Sequence, residues 1–344
     1  MAERLCTNRI TNHIAVFGLS DRGLQRENNE DHFMVLDLTR KILGVQDNQL
    51  RPELLHHHMG ARGTVLMVAD GLGGHEGGAL ASQLAVDTVA QALIDPAAQD
   101  LPVCEQLIGA VAVAHEAIRR GHSAAGRPRQ MASTLTVVHV GHGVMTIAQV
   151  GDSRAYRFRA GKLTLLTEDQ SVVQVMQNKG MLTPEEAQYH PQRHIILQAL
   201  GQDRAVLPVM QTLACQHDDC LLLCSDGLSS YVAHAQIEAI MASGEDEPER
   251  CRRLVAAANA AGGADNVTVL LARLILGDGA GSEAASATPA HSTENAPVTV
   301  RLSWPVLDDK PPAAPAEKPS WKRAFRWPWR RKVVSITCPP DVLK

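Results

Sequence analysis

The amino-acid sequence contains no apolar run of about 18 residues or more, the length from which a membrane-spanning helix is predicted. Its first residues also lack the apolar core, about 7–15 residues long, that a secretory signal peptide carries. The sequence therefore predicts neither a membrane-spanning helix nor a secreted protein. We expect a cytoplasmic protein.

The sequence is also poor in features that mark disulfide-linked and nucleic-acid-binding proteins. It has seven cysteines, an odd number, and none of them forms a CxxC pair. The formal net charge of -4 gives no overall argument for a nucleic-acid partner. Cys215, Cys220 and Cys224 are close in sequence, but an apolar triplet separates the last two. We predict buried thiols on or beside a strand rather than a metal site.

Aromatic residues are scarce, at 3% of the chain, and they are unevenly distributed. All four tryptophans follow residue 300, and the composition becomes small, polar and proline-containing after Gly277. Such segments cannot bury enough apolar surface to offset the entropy lost on ordering. We predict a folded domain over residues 1–277, a flexible linker over 278–320 and a disordered, basic and aromatic tail over 321–344.

The tail segment 321–332, WKRAFRWPWRRK, combines six basic residues with three tryptophans and no acid. Tryptophan at the headgroup level and basic residues against anionic lipid are typical of a membrane-surface segment. The same chemistry fits an acidic patch on a partner protein or on this protein's own first domain. A solubilising disordered tail and contact with nucleic acid also stay open, although we expect no specific nucleic-acid partner. Pro328 excludes one uninterrupted amphipathic helix.

Residues 1–277 mix strand and helix patterns. Two apolar, β-branched runs, 134–140 and 144–150, flank the glycine-containing residues 141–143 and predict a hairpin with a three-residue loop. Apolar positions at helical spacing predict a helix that stops before Pro96. The three histidines at 56–58 predict a polar loop. Strands joined by tight turns, with helices between groups of strands, favour an α+β fold with largely antiparallel sheets.

A glycine-rich segment directly follows one apolar run. Residues 65–78 read VLMVADGLGGHEGG, in which Asp70 ends the run and five glycines follow within eight residues. A GxGxxG nucleotide motif would need a glycine at Glu76, and no Gly-Lys-Ser/Thr follows as the Walker motif requires. The pattern therefore argues against a nucleotide cradle.

Acidic residues recur where apolar strands meet loops. These positions are Glu30 with Asp31, Asp70, Asp226 and Asp265. A lone aspartate at a strand end is usually a turn former or a helix cap. Several carboxylates that converge on one end of a sheet would repel one another unless a cation lay between them. Because all-oxygen ligands favour hard cations, the set predicts a Mg²⁺ or Mn²⁺ site, and two such ions can activate water for attack on phosphorus.

Eight short motifs follow one another along the chain. They are SDRGLQRENNED (20–31), VADGLGGHEGG (68–78), ASTLTVV (132–138), VGDSRAYRF (150–158), LTEDQSVV (166–173), HPQRHIILQALG (190–201), LLLCSDGLSSYV (221–232) and GGADNVTV (262–269). In this order they resemble the metal-dependent protein serine/threonine phosphatases of type 2C, in their compact bacterial form. The resemblance runs from about residue 14 to 276 and covers nearly all of the predicted domain.

The resemblance implies an α-β-β-α sandwich, in which two mostly antiparallel sheets are flanked by helices. It implies hydrolysis of phosphoserine and phosphothreonine in proteins by in-line attack of a hydroxide that bridges two metal ions. The cofactors would be two Mn²⁺ or Mg²⁺ ions, with a third ion described for bacterial members. The expected partners are phosphorylated proteins and a cognate bacterial Ser/Thr kinase, and we expect a monomer.

The resemblance also assigns metal ligation to matching positions. These are Glu30, Asp31, Asp70, the Gly71 carbonyl, Asp152, Asp226 and Asp265. Asp70 would bridge the two catalytic ions, and Asp226 with Asp265 would complete the ligands of the first. Asp31 with Glu30 would hold the second ion, directly or through water. Asp152 would share the third ion with Asp226.

Two further roles follow from the resemblance, and some positions depart from the family pattern. Arg26 would bind the substrate phosphate with its planar fork of donors, and Asn266 would orient Asp265 through hydrogen bonds. Leu72 stands where eukaryotic relatives carry a histidine proposed as the general acid, so a metal-bound water or His75 is left for that task.

The motif around residue 170 also departs from the family. Gln170 replaces the usual histidine, a change that removes no expected ligand but lies at the start of the mobile flap, about residues 167–195. A phosphatase fold that binds phosphoproteins without hydrolysing them is the alternative reading. Lost ligands would favour that alternative, and every expected ligand is present.

Overall fold

The computed structural model describes residues 12–46, 49–73, 76–124, 131–277 and 298–300. The strands are β1 (His13–Asp21), β2 (Asp31–Asp37), β3 (Ile42–Leu43), β4 (Val45–Gln46), β5 (Gln49–Leu50), β6 (His56–His58), β7 (Thr64–Leu72), β8 (Ala132–Ser133), β9 (Leu135–Gly141), β10 (Val144–Val150), β11 (Arg154–Arg159), β12 (Lys162–Leu165), β13 (Val209–Ala214), β14 (Cys220–Cys224), β15 (Val267–Ile275) and β16 (Val298–Val300).

The α-helices lie mostly between groups of strands. They are α1 (Pro52–Leu55), α2 (Glu76–Ile94), α3 (Val103–Ala124), α4 (Val172–Asn178), α5 (Pro184–Tyr189), α6 (Asp226–Ser229), α7 (His234–Met241) and α8 (Glu247–Ala260), with a 3₁₀ turn at Pro96–Ala98. Helix α2 ends before Pro96, as its periodicity predicts. Helix α5 begins with a capping box, in which Thr183 and Glu186 each bond the other's backbone N–H.

Two sheets carry most of these strands. Among the described residues, the first sheet has six strands in the order β12-β11-β14-β15-β1-β6. The second follows the order β16-β13-β10-β9-β7-β2-β3, with β8 paired to β7, and β4 and β5 form a separate pair. Neighbours such as β1 with β15 and β2 with β7 are antiparallel, which confirms the predicted α+β class.

Strand β7 shows how the layers are built. Its alternate residues Val65 and Met67 pack with apolar residues of α2 and α3, whereas Leu66 and Val68 pack into the core between the two sheets. A third core places α7 and α8 against the outer face of the first sheet. The result is the α-β-β-α sandwich that the resemblance implies.

The β9–β10 hairpin turns more tightly than the sequence pattern predicts. His142 and Gly143 have φ angles of 51° and 74°, the positive values that a type I′ turn requires at both central residues. Gly141 pairs with Val144, so it belongs to the strand. The predicted three-residue loop is therefore wrong by one residue.

The prediction of a polar loop at residues 56–58 is also wrong. These histidines form β6, which pairs with β1. Alternation along the strand exposes the outer two rings and buries His57, whose side-chain ring nitrogens lie 3.0 Å from the Leu54 carbonyl oxygen and 2.8 Å from Thr64 Oγ1. Because both ring nitrogens have hydrogen-bond partners, His57 can be buried on this strand.

The clustered cysteines are buried free thiols, as predicted. Cys220 and Cys224 lie on β14, and Cys215 follows β13. Burial is the main cause that raises the pKa of each of the three thiols to about 12. These thiols are therefore protonated near neutral pH and are poor metal ligands.

The predicted linker, 278–320, and tail, 321–344, lie outside the described residues, except for strand β16 within the linker range. In the part of the chain that is described, no helix is both long enough and apolar enough to cross a membrane.

Candidate metal centre

The acidic positions named above meet at one end of the sandwich. Asp31 begins β2 and lies directly opposite Asp70 near the end of β7. Asp226 follows β14 and Asp265 precedes β15, and these two strands pair with each other at that same end. Asp152 lies in the connection between β10 and β11. Antiparallel pairing therefore brings together carboxylates that are far apart in sequence.

The backbone around Asp70 is fixed by hydroxyl groups and strand contacts. Asp70 N donates to Thr134 Oγ1 at 2.9 Å, and Asp70 O accepts from Thr134 N at 2.8 Å and from Ser133 Oγ at 3.0 Å. A Cβ on Gly71 would lie 2.1 Å from the Gly78 carbonyl oxygen, so no larger residue fits this position. The backbone at Asp70 and Gly71 is therefore fixed by these hydrogen bonds and packed closely against neighbouring backbone.

Asp31 is held by a hydroxyl group that the sequence patterns do not reveal. Its side chain is 2% exposed, and its Oδ2 accepts a hydrogen bond from Ser225 Oγ at 2.6 Å. The same hydroxyl accepts from Thr268 N at 3.0 Å. The one sequence signal for Ser225 is its position beside Asp226.

The pKa values of the carboxyl groups show how closely these aspartates interact. The pKa of Asp31 is raised to about 7, mainly by burial and also by the charges of Asp226 and Asp265. Burial and the charge of Asp265 raise the pKa of Asp226 to about 6. The pKa of Asp70 lies well above its ordinary value because of burial and then the charges of Asp31 and its other acidic neighbours.

Asp152 belongs to the same electrostatic group. Burial, followed by the charges of Asp226 and Asp169, raises the pKa of Asp152 well above its ordinary value. Asp169 is bound by Arg154, whose Nη2 and Nε donate to its two carboxylate oxygens at 2.7 and 2.9 Å. The cluster is therefore short of positive charge, and either protons or a cation would relieve the repulsion.

Two carboxylate oxygens in this cluster fit a metal ion. Asp152 Oδ1 and Asp226 Oδ1 are buried and have no hydrogen-bond partner among the described residues. Buried carboxylate oxygens without partners are costly, and a divalent cation would satisfy them. The described side chains contain no group of three or more His, Cys, Asp or Glu that is already arranged to hold an ion.

Arg26 reaches the cluster from the loop between β1 and β2. Its Nη2 donates to Asp265 Oδ2 at 2.8 Å, while 53% of the Arg26 side chain remains exposed. The predicted phosphate-binding arginine thus lies at the open side of the site, beside a predicted metal ligand.

Asn266 makes hydrogen bonds both with Asp265 and with the loop between β1 and β2. Its backbone N donates to Asp265 Oδ1 at 2.8 Å, whereas its side-chain Nδ2 donates to the Arg22 and Asn28 carbonyl oxygens, each at 2.8 Å. Its Oδ1 accepts from Glu30 N, also at 2.8 Å. The sequence suggests the contact with Asp265, but the side-chain contacts with the β1–β2 loop are visible only in the structure.

Four further residues bear on the site, two of them predicted from the sequence and two not. Leu72 ends β7 and is partly exposed, and His75 lies outside the described residues. Tyr231 and His194 are not part of the predicted site, although charges of the cluster act on the pKa values of both. Burial and then the charge of Asp265 raise the pKa of Tyr231, while burial and then Arg193 lower the pKa of His194.

Comparison with known proteins identifies the family of this chain. A family model described as "Protein phosphatase 2C" matches residues 45–261. The serine/threonine protein phosphatase PstP of Mycobacterium tuberculosis (strain ATCC 25618 / H37Rv) is 35% identical over 275 residues, which are 78% of this chain and 46% of the relative. The protein phosphatase PhpP of Streptococcus pneumoniae (strain ATCC BAA-255 / R6) is 33% identical over 256 residues, which are 74% of this chain and 94% of the relative.

A solved structure adds a bound metal to the comparison. The crystal structure of the PstP catalytic domain in complex with two manganese ions has a TM-score of 0.61 and 31% identity, covering 77% of this chain and 100% of that chain. This chain belongs to the protein phosphatase 2C family. The chain spans about half the length of PstP, 46%, and nearly all of PhpP, 94%.

The raised pKa values predict how stability depends on pH when no metal is added. Between about pH 4 and 7 the folded chain binds more protons at Asp31 and Asp226 than the unfolded chain, whose aspartates titrate near 3.8. The free energy of unfolding in EDTA should therefore fall as the pH rises through this window. Melting temperatures in EDTA, measured by circular dichroism from pH 5 to 7.5, check this.

Mn²⁺ should reverse that trend, because it competes with protons for the same oxygens. At about 100 times its dissociation constant, Mn²⁺ should add about 2.7 kcal/mol, or about 5–10 °C, at pH 7.5. The gain should be smaller at pH 5. An equal or larger gain at pH 5 would contradict the prediction, and Asp100→Asn, at an exposed position, should behave as wild type.

Proposed function

We propose that this chain is a metal-dependent protein phosphatase that hydrolyses phosphoserine and phosphothreonine in proteins. The observation that carries the proposal is the cluster of buried aspartates, with unpartnered oxygens on Asp152 and Asp226, beside an arginine that is open to solvent. A relative named as a serine/threonine protein phosphatase and another named as a protein phosphatase support it. A silent phosphoprotein-binding module is less well supported, since no expected ligand is missing.

The ligand assignments are part of this proposal. The residues that would hold Mn²⁺ or Mg²⁺ are Glu30, Asp31, Asp70, Gly71 through its carbonyl, Asp152, Asp226 and Asp265. Two ions would serve catalysis, and Asp152 would take part in holding a third. The donor set is entirely oxygen, which suits these hard cations. The PstP catalytic domain with two manganese ions supports the choice of metal.

The remaining residues would orient the substrate and the ligands. Bound ions would supply Lewis acidity toward the phosphate and lower the pKa of water. Arg26 would bind the phosphate oxygens through the guanidinium donors that Asp265 leaves open. Asn266 would keep Arg26 in reach, because its side chain fixes the loop that carries the arginine. Leu72 has no titratable group, so the proton for the leaving alkoxide must come from another source.

The cellular setting is proposed from the resemblance and from the tail. The substrates would be proteins phosphorylated by a bacterial Ser/Thr kinase, and the chain would act as a monomer in the cytoplasm. The basic and aromatic tail segment 321–332 would hold it against an anionic membrane surface. Tryptophan and basic side chains in this segment support that role.

Replacing Asp70 tests the proposed chemistry. Asp70→Asn keeps the size of the side chain but removes a negative charge from the centre of the cluster. With Mn²⁺ present, we expect kcat/KM for a phosphothreonine peptide to fall at least about 100-fold, because the ions that would stabilise transition-state charge lose a ligand. Phosphate release measured with malachite green checks this.

The matched control for this test is Asp100→Asn, an aspartate at an exposed position away from the cluster. Its rate should equal that of the wild type. Equal rates for Asp70→Asn and the wild type would sink the proposed mechanism. A wild type that binds phosphopeptide but releases no phosphate with Mn²⁺ would instead favour the silent binding module.

Replacing Arg26 tests how the phosphate is held. Arg26→Ala removes donors for the substrate phosphate, so KM for the phosphopeptide should rise about tenfold, about 1.4 kcal/mol, with a smaller effect on kcat. Arg26→Lys should recover part of the loss, since it restores the charge without the fork. Arg252→Ala, at an exposed arginine on α8, is the control. A change in kcat with KM unaltered would contradict this role.

Sedimentation with lipid vesicles tests the tail. Full-length protein should pellet with vesicles that contain phosphatidylglycerol and should stay in solution with pure phosphatidylcholine. Replacing Trp321, Trp327 and Trp329 with alanine should reduce the pelleted fraction several-fold. Trp304→Ala lies outside the basic segment and should have no effect. Equal pelleting by the triple variant would exclude this mode of binding.

A further inference from the structure

Three glutamines lie buried together beside the Asp152 connection. Gln149, Gln170 and Gln198 are 1%, 8% and 1% exposed. A primary amide has two donor hydrogens and an acceptor oxygen, and it is costly to bury without partners. The partners of these three side chains therefore define which pieces of backbone they hold. Gln170 is also one of the positions that depart from the family pattern.

The Gln170 amide connects three separate pieces of the chain. Its Oε1 accepts from Gly151 N at 2.8 Å and from Gln198 Nε2 at 2.9 Å, and its Nε2 donates to the Gln149 carbonyl oxygen at 3.3 Å. Its backbone adds two bonds, from its N to the Gly151 carbonyl oxygen at 3.0 Å and to its own carbonyl oxygen from Leu197 N at 2.7 Å.

The neighbouring glutamines extend this network in both directions. Gln149 Nε2 donates to the Ser153 carbonyl oxygen at 3.3 Å, and its Oε1 accepts from Glu168 N at 3.2 Å. Gln198 donates to the Leu207 carbonyl oxygen at 2.7 Å and accepts from Leu207 N at 3.0 Å. Every contact in this set is a neutral hydrogen bond.

These bonds close the base of one segment. Residues 171–197, which we call the clamped segment, carry α4 and α5 and are bounded by Gln170 and Gln198. The bond between these two amides joins the two ends of the segment. The same Gln170 oxygen accepts from the backbone N of Gly151, the residue before Asp152, so the segment and the backbone that carries Asp152 share one anchor.

We propose that Gln170 is a positioning residue that fixes Asp152 and closes the base of the clamped segment at the same time. The proposal rests on the proposed function, because Asp152 matters there as a ligand of the third ion. A neutral amide is suited to this positioning role, since it both donates and accepts hydrogen bonds. It adds no charge next to the cluster of buried, mutually repelling carboxylates. Loss of the amide should therefore loosen both features together.

Four variants of the full-length chain test this. Gln170→Leu removes the side-chain hydrogen bonds at similar size, and Gln170→His supplies one donor and one acceptor as the conservative replacement. Asp152→Asn identifies the Mn²⁺ site that depends on Asp152, and the double variant Gln170→Leu/Asp152→Asn completes a cycle. Gln192→Leu is the control, because it is an exposed glutamine within the clamped segment.

Electron paramagnetic resonance of free Mn²⁺ measures the binding isotherm. Asp152→Asn should weaken one class of Mn²⁺ sites, and Gln170→Leu should weaken the same class at least about tenfold, as expected when a supporting residue is lost. The other sites should change less than threefold. The double variant should bind no more weakly than Asp152→Asn alone, since Gln170 acts through Asp152. Gln170→His should stay within threefold of wild type.

Hydrogen exchange in EDTA gives a readout that needs no metal and no activity. Amides in the clamped segment should exchange at least tenfold faster in Gln170→Leu than in wild type, and Gln192→Leu should leave them unchanged. If Gln170→Leu does not fold, Gln170→Asn, which is one methylene shorter, takes its place in both measurements with the same expected losses.

Several results would overturn the proposal. Unchanged Mn²⁺ binding in the Gln170 variant, unchanged exchange, or additive losses in the double variant would each do so. The proposal would also be overturned if the wild type had no class of Mn²⁺ sites that depends on Asp152. If that protein still hydrolysed the phosphopeptide with its other Mn²⁺ sites, the proposed function would stand. A wild type that binds Mn²⁺ in both classes but hydrolyses no phosphopeptide would overturn the proposed function alone.

Discussion

Mutual repulsion among buried carboxylates is the constraint on which the rest of this site depends. Burial is the main cause of the raised pKa values of Asp31, Asp70, Asp152 and Asp226, and their charges act on one another. A cluster of this kind persists only when protons or cations compensate it. The two sheets hold the carboxylates together because the strands next to them, β2, β7, β14 and β15, are buried in packed cores.

The supporting groups around the cluster are mostly neutral. Ser225, Thr134 and Asn266 act through hydroxyl or amide contacts, which fix backbone and carboxylate positions without cancelling charge. Arg154 is engaged by Asp169, and Arg26 makes one bond with Asp265 at the open side. The negative charge of the cluster is therefore only partly neutralised by arginine, and Arg26 adds an exposed positive group beside it.

Much of this arrangement could be predicted from the sequence, for identifiable reasons. Asp70 and Asp226 stand at the ends of apolar strands, and ordered motifs identified the fold and its carboxylates. The contacts of Asn266 and Gln170 could not be predicted, because they join residues far apart in sequence through side-chain amides. The burial of His57 could not be predicted for a related reason: it depends on a strand partner, β1, that local composition does not reveal.

The antiparallel register of β2 against β7 has a consequence for folding. Side chains alternate between the two faces of a sheet, so a slip of one residue would turn Asp31 away from the face that it now shares with Asp70. It would also exchange the two apolar faces of β2 between different cores. Misaligned chains would thus lose the ability to bind divalent ions as well as their core packing. The number of ions bound per chain would therefore report the fraction of chains with the correct strand alignment.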